Sequence, residues 1–249
     1  MKTLSISFAA SAILAMATFS ATAAGNPELV VNGSFEQTTL GASGALTNTN
    51  FPGWSIDLIG TLGAYNFTAL YFSANEATTI GATGTDKPYK NWIMANAGDS
   101  VNGGKFVAID GDPAVAAVLS QTINGLTVGH TYNLTFEMAG AQELDRLGPT
   151  TDSWLVKFGN ESQKSTVLSN PSQSFTGWIN QTMSFTATST SQVLSFLAVG
   201  TPTGLPPVSL LDGVSMVDTV AAVPEPQTWA LMLAGIGAIG VALRKRRSA

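Results

Sequence analysis

The sequence predicts an all-β ectodomain, most simply a two-sheet jelly-roll sandwich, flanked by two terminal segments that lie outside the fold. Apolar and polar residues alternate along many short stretches, as they do in half-buried antiparallel strands. Turn signals such as Asn-Gly and Asp-Gly separate these stretches about every ten residues. No long segment combines a helical period with helix caps. This pattern favours a sandwich of many short strands.

The clearest alternation runs through residues 131–139, where every second residue from Tyr132 to Met138 is apolar. The same period predicts strands near 154–158 and 179–187. Residues 193–199 are almost continuously apolar, which predicts a strand covered on both faces. Shorter strands are predicted at Leu29–Glu36, Phe106–Asp110, Val118–Ile123 and Leu210–Val217.

The stretch Gly41–Gly104 is different, because it is rich in Gly, Ala, Thr and Asn and has few regular runs. We expect long loops over one face of the sandwich, with a strand or two inside them. Long loops on a rigid scaffold often carry binding sites. This stretch is therefore where the sequence places ligand specificity.

The C-terminal segment, residues 223–249, has three parts in a fixed order. It starts with Pro224, Glu225 and Pro226, a break that a helix cannot cross. The uncharged run 227–243 follows, long enough for a helix of roughly 26 Å. Such a helix can span a bilayer core of about 30 Å with local thinning, so we predict one transmembrane helix. Four cations then resist translocation and act as a stop-transfer signal: Arg244, Lys245, Arg246 and Arg247.

The N-terminal segment, residues 1–24, reads as a secretory signal peptide. One early cation, Lys2, precedes an apolar run and then small residues, with cleavage expected after Ala23 or Ala24. Signal peptidase is therefore an expected partner. The remaining residues 25–222 form one predicted ectodomain, large enough for a single well-buried core.

Composition limits what this ectodomain does. Its six cationic and fifteen acidic side chains give a formal charge of −9, which argues against nucleic acid as a partner. The chain has no cysteine, which excludes disulfides, zinc–thiolate sites and cysteine nucleophiles. Its single histidine, His130, leaves little room for a His-based triad or a multi-His metal site. Stability must therefore come from the core or from a bound metal.

The tail resembles the PEP-CTERM sorting signal of Gram-negative bacteria in order, in spacing and in the Pro-Glu-Pro itself. The resemblance implies recognition by an exosortase, a membrane-embedded cysteine transpeptidase that cuts near Pro224–Pro226 and passes the protein onward. The implied destinations are the cell surface, the outer envelope or the extracellular matrix, in association with exopolysaccharide and biofilm systems. The alternative is an ordinary single-pass anchor that begins with proline.

The ectodomain carries a second resemblance. Its patterns are LVVNGSFE at 29–36, FPGW at 51–54, KFVAIDG at 105–111, LSQT at 119–122, GHTYNLTF at 129–136 and LDGVSM at 211–216. In this order they resemble the choice-of-anchor C family, related to galactose-binding-like jelly rolls that include carbohydrate-binding modules.

The resemblance implies a non-catalytic sugar-binding or matrix domain, with a structural calcium where the first strand meets the last. The implied ligands are Glu36, Asn102, the Lys105 carbonyl and Asp212. Gly213, where relatives carry Asp or Asn, gives one oxygen fewer. The alternative is that these are ordinary strand-end and turn residues.

Aromatic rings in the Gly41–Gly104 stretch are candidates for stacking on sugars: Tyr65, Tyr71, Tyr89 and Trp92. The alternative is that they only pin loops to the sandwich; Trp54 and Trp178 are expected in the core. We predict no catalytic residues, because the acids at 143, 145 and 152 have the pattern of a solvated loop. The leading hypothesis is non-catalytic polysaccharide binding. The alternatives are a structural biofilm-matrix protein acting through protein contacts, or a glycoside hydrolase.

Overall fold

The computed structural model describes residues 26–61, 67–83, 90–91 and 98–220, and four residues of the tail. Asn26–Ala221 forms one compact unit. The predicted signal peptide, the Pro-Glu-Pro motif and the basic cluster lie outside the described residues. Those described in the tail, Met232, Leu233, Gly235 and Ile236, are helical and exposed. Within the described part of the chain, no helix has the length and apolarity that a membrane span requires.

The ectodomain is a sandwich of two antiparallel sheets, which confirms the predicted fold class. Sheet A has the order β1 (Gly44–Ala45), β3 (Thr68–Tyr71), β4 (Phe106–Asp110), β12 (Pro207–Asp218), β6 (Thr131–Gln142) and β10 (Ile179–Thr186). Sheet B has the order β2 (Ser55–Leu58), β5 (Ala117–Asn124), β11 (Ser191–Thr201), β7 (Thr150–Phe158) and β8 (Glu161–Lys164), and β9 (Leu168–Asn170) also pairs with β7. Strands distant in sequence alternate within each sheet, as in jelly-roll folds.

The main core fills the space between the two sheets. The alternation predicted for residues 131–139 is confirmed, since Tyr132, Leu134 and Phe136 all lie in this core. Aromatic rings meet edge to face at its centre, with Phe196 lying 6.1 Å from Trp154 and 5.3 Å from Phe136 between ring centroids. Such interlocking packing fixes how one sheet sits on the other.

A second, smaller core covers part of the outer face of sheet A. The helix α1 (Ala74–Thr79), capped by the Ser73 hydroxyl on Glu76 N, packs there beside strand β3. Phe106 and Trp178 meet edge to face at 5.4 Å in the same layer. The described part of the Gly41–Gly104 stretch thus holds three strands and a helix, more regular structure than its composition predicts.

The predicted strand Leu29–Glu36 is not a strand, and this corrects the sequence analysis. Asn32 and Phe35 have positive φ angles of 53° and 57°, which end the extended conformation in a turn. The segment still lies beside β12, because Leu29 N donates to Met216 O and Val214 N donates to Gly33 O. The buried Phe35 ring then anchors the turn in the core.

The strand around residues 193–199 also differs from its prediction. Leu194, Phe196 and Ala198 are buried, but Val193 is 49% exposed and the alternate side chains are only partly buried. Among the described residues no second layer covers the outer face of sheet B. The continuous apolar run therefore marks a strand with an apolar outer face, not one buried on both sides.

We predict that Gly33→Ala destabilises the ectodomain. A Cβ at this position would lie 1.8 Å from the Val214 carbonyl oxygen, so the turn and β12 would have to separate. The expected loss in unfolding free energy is about 2 kcal/mol or more, measured by urea denaturation. Gly41→Ala is the control, because a Cβ there meets nothing within 4 Å. Equal stability of the two variants would contradict the close packing of this turn.

Candidate functional site

The outer face of sheet B carries a row of hydroxyl groups that crosses the strands. Ser55, Ser120 and Ser195 are direct cross-strand neighbours on β2, β5 and β11. Adjacent strands lie about 4.8 Å apart, so the hydroxyls repeat at that spacing. None of the three side-chain hydroxyls has a hydrogen-bond partner within the described part of the chain. We call these residues the serine row.

An apolar row runs parallel to the serine row, two residues along each strand. It consists of Val118, Leu197 and Leu155, which are cross-strand neighbours on β5, β11 and β7. All three are partly exposed. Apolar side chains beside unpaired hydroxyls give the face two kinds of contact, one for C–H groups and one for polar groups.

A groove of about 400 Å³ opens at the β2 end of the serine row. Gln121 fixes its wall, because its amide accepts from Val31 N and donates to the carbonyls of Val31 and Gly53, each at 2.8 Å. The groove is lined by Val31, Gly53, Ser55, Ser120, Gln121, Thr122 and Val193. The bonds of Gln121 make this wall rigid, while the serine hydroxyls stay available to a ligand.

A first carboxylate cluster lies where the 26–36 segment, β6 and β12 meet, and it contains two of the predicted calcium ligands, Glu36 and Asp212. Asp212 stands opposite Glu137 in the β12–β6 register. Asp212 is fully buried, and its Oδ2 atom has no hydrogen-bond partner. Burial raises the pKa of Asp212 to about 7, and the carboxylates of Glu137 and Glu36 act in the same direction.

The other predicted ligands, Asn102 and Lys105, also reach this cluster. Asn102 Nδ2 donates to Glu137 at 2.9 Å. Lys105 contacts Glu36 through both its backbone N–H, at 3.0 Å, and its ammonium group, at 2.7 Å. Sequence reasoning missed Glu137, because only the register of β6 against β12 places it opposite Asp212.

The cluster has the donor types that calcium prefers, but not a finished cage. Asp212 Oδ2 is buried without a hydrogen-bond partner among the described residues, and the carboxylates of Glu137 and Glu36 lie close enough to raise the pKa of Asp212. A cation would satisfy this oxygen. The Lys105 ammonium and the Asn102 amide nitrogen occupy part of the carboxylate surface instead. Consistent with this, no group of three or more acidic or histidine side chains in the described ranges is already arranged as a metal centre.

A second carboxylate cluster lies near the C-terminal end of β6, beside Gly140. Asp152 of β7 points to the interior, and its Oδ2 atom faces Gly140 so closely that a Cβ there would approach to 2.7 Å. Its Oδ1 atom is buried without a hydrogen-bond partner. Burial raises the pKa of Asp152 well above its ordinary value, and the nearby Asp110 raises it further. This corrects the expectation that Asp152 belongs to a solvated loop.

Asp110, at the end of β4, belongs to the same cluster. Burial raises its pKa to about 7, against the backbone N–H of Asp112, which donates to it at 2.8 Å. Glu143 is buried as well and accepts from the half-exposed Arg146 at 3.3 Å. One partly solvated guanidinium therefore faces several buried acids. Protonation keeps Asp110 neutral below about pH 7, and burial favours the neutral form of Asp152 as well.

Of the four aromatic residues predicted to stack on sugars, the structure describes one. Tyr71 is fully buried in the second core, where its hydroxyl accepts from Asn91 Nδ2 at 2.7 Å. Its ring cannot stack on a sugar, so this assignment was wrong. Tyr71 lies on a strand, which the composition of the surrounding stretch conceals. Tyr65, Tyr89 and Trp92 lie outside the described residues, and their role stays a prediction.

Residues 222–247 match the PEP-CTERM protein-sorting motif, which confirms the sorting signal predicted from the tail. The motif marks the chain as a bacterial protein that is exported, processed by an exosortase and sorted to the cell surface. The match does not extend to the ectodomain, so the resemblance to the choice-of-anchor C family stays a prediction. No curated protein sequence is significantly similar to the chain.

Several solved structures are similar to the ectodomain at low identity. TmCBM61 in complex with β-1,4-galactotriose shares 11% identity over 77% of this chain and 99% of that one, with a TM-score of 0.43. Family 16 Carbohydrate Binding Module-2 shares 16% identity over 76% of this chain and 99% of that one, with a TM-score of 0.36. The CBM22-1 xylan-binding domain of Paenibacillus barcinonensis Xyn10C shares 12% identity over 81% of this chain and 100% of that one, with a TM-score of 0.36. Since these TM-scores are below 0.5, the sandwich architecture rests on the strand order described above.

The buried acids predict that the ectodomain is more stable in mild acid than in mild alkali. A carboxyl whose pKa is raised on folding binds its proton more tightly in the folded state. Its contribution is full near pH 4 and is lost as the pH rises through about 7. Asp110 alone gives about 1.4 kcal/mol per pH unit over that window, so we expect the wild type to lose at least about 2 kcal/mol between pH 5 and pH 8.

Asp152→Asn tests this prediction, because an amide has no charge to bury. In urea denaturation with a chelator present, the variant should lose less stability than the wild type between pH 5 and pH 8. Asp57→Asn, on the exposed β2 strand, should keep the wild-type dependence. If Asp152→Asn also keeps it, the carboxyl is not protonated in the folded protein as we describe.

Proposed function

We propose that the processed ectodomain is a non-catalytic polysaccharide-binding module that acts at the surface of a Gram-negative cell or in its extracellular matrix. The observation that carries this proposal is the pairing of the serine row with the apolar row on the outer face of sheet B. A sugar ring has apolar C–H faces and a rim of hydroxyls. Partly exposed Leu197 and its neighbours suit the faces, and unpartnered serine hydroxyls suit the rim.

The extent of the face favours a polymer over a single sugar. The serine row alone spans three strands, and its hydroxyls repeat at about 4.8 Å. Each neutral hydrogen bond contributes only about 0.5–1.5 kcal/mol, so affinity requires several contacts in series. A chain of linked sugars lying across β2, β5 and β11 makes those contacts, while a monosaccharide covers one or two.

The outer face of sheet A is less suited to this role. The second core covers one part of it. The part beside β10 presents threonines such as Thr135 and Thr182, cross-strand neighbours with no apolar row beside them. Sheet B therefore offers the larger uncovered surface with both kinds of contact.

The sorting signal and the proposed binding face fit together, because sorting would bring the ectodomain to the place where polysaccharide lies. The exosortase would cut near Pro224–Pro226 and deliver the ectodomain to the surface or the matrix, after signal peptidase has cut at Ala23 or Ala24. A binding module in that place retains or organises exopolysaccharide. Contacts with other matrix proteins through the same ectodomain are the alternative that the experiments below separate.

The serine row predicts a specific loss of binding. In affinity electrophoresis on the host exopolysaccharide, Ser55→Ala, Ser120→Ala and Ser195→Ala combined should weaken retention about tenfold or more. Thr135→Ala with Thr182→Ala, on the outer face of sheet A, is the matched control and should retain wild-type binding. Reducing ends are assayed in the same samples, and their release would contradict a non-catalytic role.

The aromatic hypothesis gives the contrasting outcome. If Tyr89→Ala with Trp92→Ala abolishes retention while the triple serine variant binds normally, the site lies on the Gly41–Gly104 stretch and not on sheet B. No retention of the wild type by any polysaccharide, together with self-association, would favour the matrix-protein alternative.

We further propose that the first carboxylate cluster holds a structural calcium ion. Asp212, Glu36 and Glu137 would supply carboxylate oxygens, and Asn102 and the Lys105 carbonyl would complete the shell. The unpartnered Asp212 Oδ2 supports this assignment, because a buried carboxylate oxygen without a partner is costly. Bound calcium would tie the 26–36 segment to β12 in a chain without disulfides.

Calcium should then raise the melting temperature after chelation, since a ligand that binds only the folded state stabilises it by about 2.7 kcal/mol at one hundred times its Kd. Asp212→Asn should abolish the shift, measured by differential scanning calorimetry. Asp152→Asn, which alters the other buried and unpartnered carboxyl, should keep it. A wild-type melting temperature that does not respond to calcium would remove the site.

A further inference from the structure

We propose that the binding face of sheet B selects an acidic polysaccharide, one that bears carboxylate or sulfate groups along its chain. This inference rests on the proposed function and names the ligand class of the same face. It comes from two lysines, Lys157 and Lys164, whose positions follow from the strand register.

Both lysines extend the rows already described. Lys157 is the cross-strand neighbour of Ser195, so it continues the serine row onto β7. Lys164 is the neighbour of Leu155, so it ends the apolar row on β8. The two are diagonal neighbours on adjacent strands, within about 7–8 Å of each other. Their ammonium groups therefore form one positive area at the end of the face.

Neither lysine is engaged by the protein. Both are exposed, and neither has an ion pair or a side-chain hydrogen bond within the described ranges. Two other cations of the ectodomain do form ion pairs, Lys105 with Glu36 and Arg146 with Glu143. Two neighbouring lysines without ion pairs are unusual in a domain with fifteen acids and six cations.

The distribution of acids on this face sharpens the point. The outward positions of β5, β7, β8 and β11 carry no acidic side chain in the described structure. On the remaining strand in the order of sheet B, β2, one acid faces outward in the described structure. This is Asp57, at the far end of the apolar row. A net charge of −9 repels polyanions at long range, but salt screens that repulsion beyond about 8–10 Å. Local cations then decide which ligands bind.

The chemistry of the pair favours single charges spaced along a polymer. An ammonium on a flexible stem is a mobile point charge, suited to one carboxylate or sulfate at a time. A sugar chain along the serine row reaches Lys157 after Ser195, so its hydroxyls and its charged substituents find partners in turn. Nucleic acid is a poorer fit, because its dense phosphates need many more cations than two.

The test compares two forms of one polymer with the processed protein. Polygalacturonate and its methyl ester share a backbone and differ in charge, and both are titrated in the same calcium-free buffer by isothermal calorimetry. The wild type should bind the acidic form about tenfold more tightly at low salt, and that preference should disappear at high salt. Lys157→Gln with Lys164→Gln should bind the acidic form no more tightly than the ester. Lys157→Arg with Lys164→Arg should restore the preference.

The other possible results would contradict the acidic-polysaccharide proposal, and one of them would also contradict the proposed function. Equal wild-type affinity for both forms would leave the proposed function intact and make the ligand a neutral polysaccharide. A preference that survives in the double glutamine variant would place the anion site elsewhere. Binding to anionic lipid vesicles with the same lysine dependence, but to neither polymer, would replace the polysaccharide with a membrane surface. If neither polymer nor the host exopolysaccharide binds, the proposed function fails with the inference.

Discussion

Strand β12 changes its partner on one side half-way along its length, and much of the ectodomain depends on that change. Its first half pairs with β4 and β6, and its second half pairs with β6 and the 26–33 segment. The register shifts between Asp212 and Ser215, where Gly213 takes a φ of +57° that a side chain would strain. A Cβ on Gly213 would also lie 2.2 Å from the Asn102 amide. The bulge thus joins the 26–36 segment to the sheet and places Asp212 against Glu137.

The domain has no disulfides, yet it buries acids at two places along β6, near its middle and near its C-terminal end. Each cluster contains a carboxyl oxygen without a partner, on Asp212 and on Asp152. Their surroundings differ, because Asp212 has exposed Glu36 and two further potential ligands beside it, while Asp152 faces Gly140 inside the sandwich. We propose that the same electrostatic problem has two solutions, a cation at the first cluster and a proton at the second.

The sequence predicted what depends on periodicity and failed where backbone geometry or register decides. Alternation located β6, β7 and β10, because side-chain direction in a strand follows directly from position. It failed at Leu29–Glu36, since no pattern shows that Asn32 and Phe35 adopt positive φ. The family resemblance implied Glu36 and Asp212 as the proposed calcium ligands, whereas Glu137 could be added only from the β6–β12 pairing. The serine row could not be predicted at all, because its three members lie 65 and 75 residues apart and meet only through register.

The outer faces of the two sheets differ in what covers them, and this difference supports the proposed binding face on sheet B. Sheet A buries part of its outer face under α1 and the aromatic layer around Trp178, and it carries a carboxylate cluster beside its remaining surface. The described outer surface of sheet A beside β10 presents threonines without an apolar row. Sheet B keeps its outer face uncovered in the described structure, with cations at one end and one acid at the other. The ligand that we propose for sheet B is amphipathic and negatively charged, and an acidic polysaccharide has both properties.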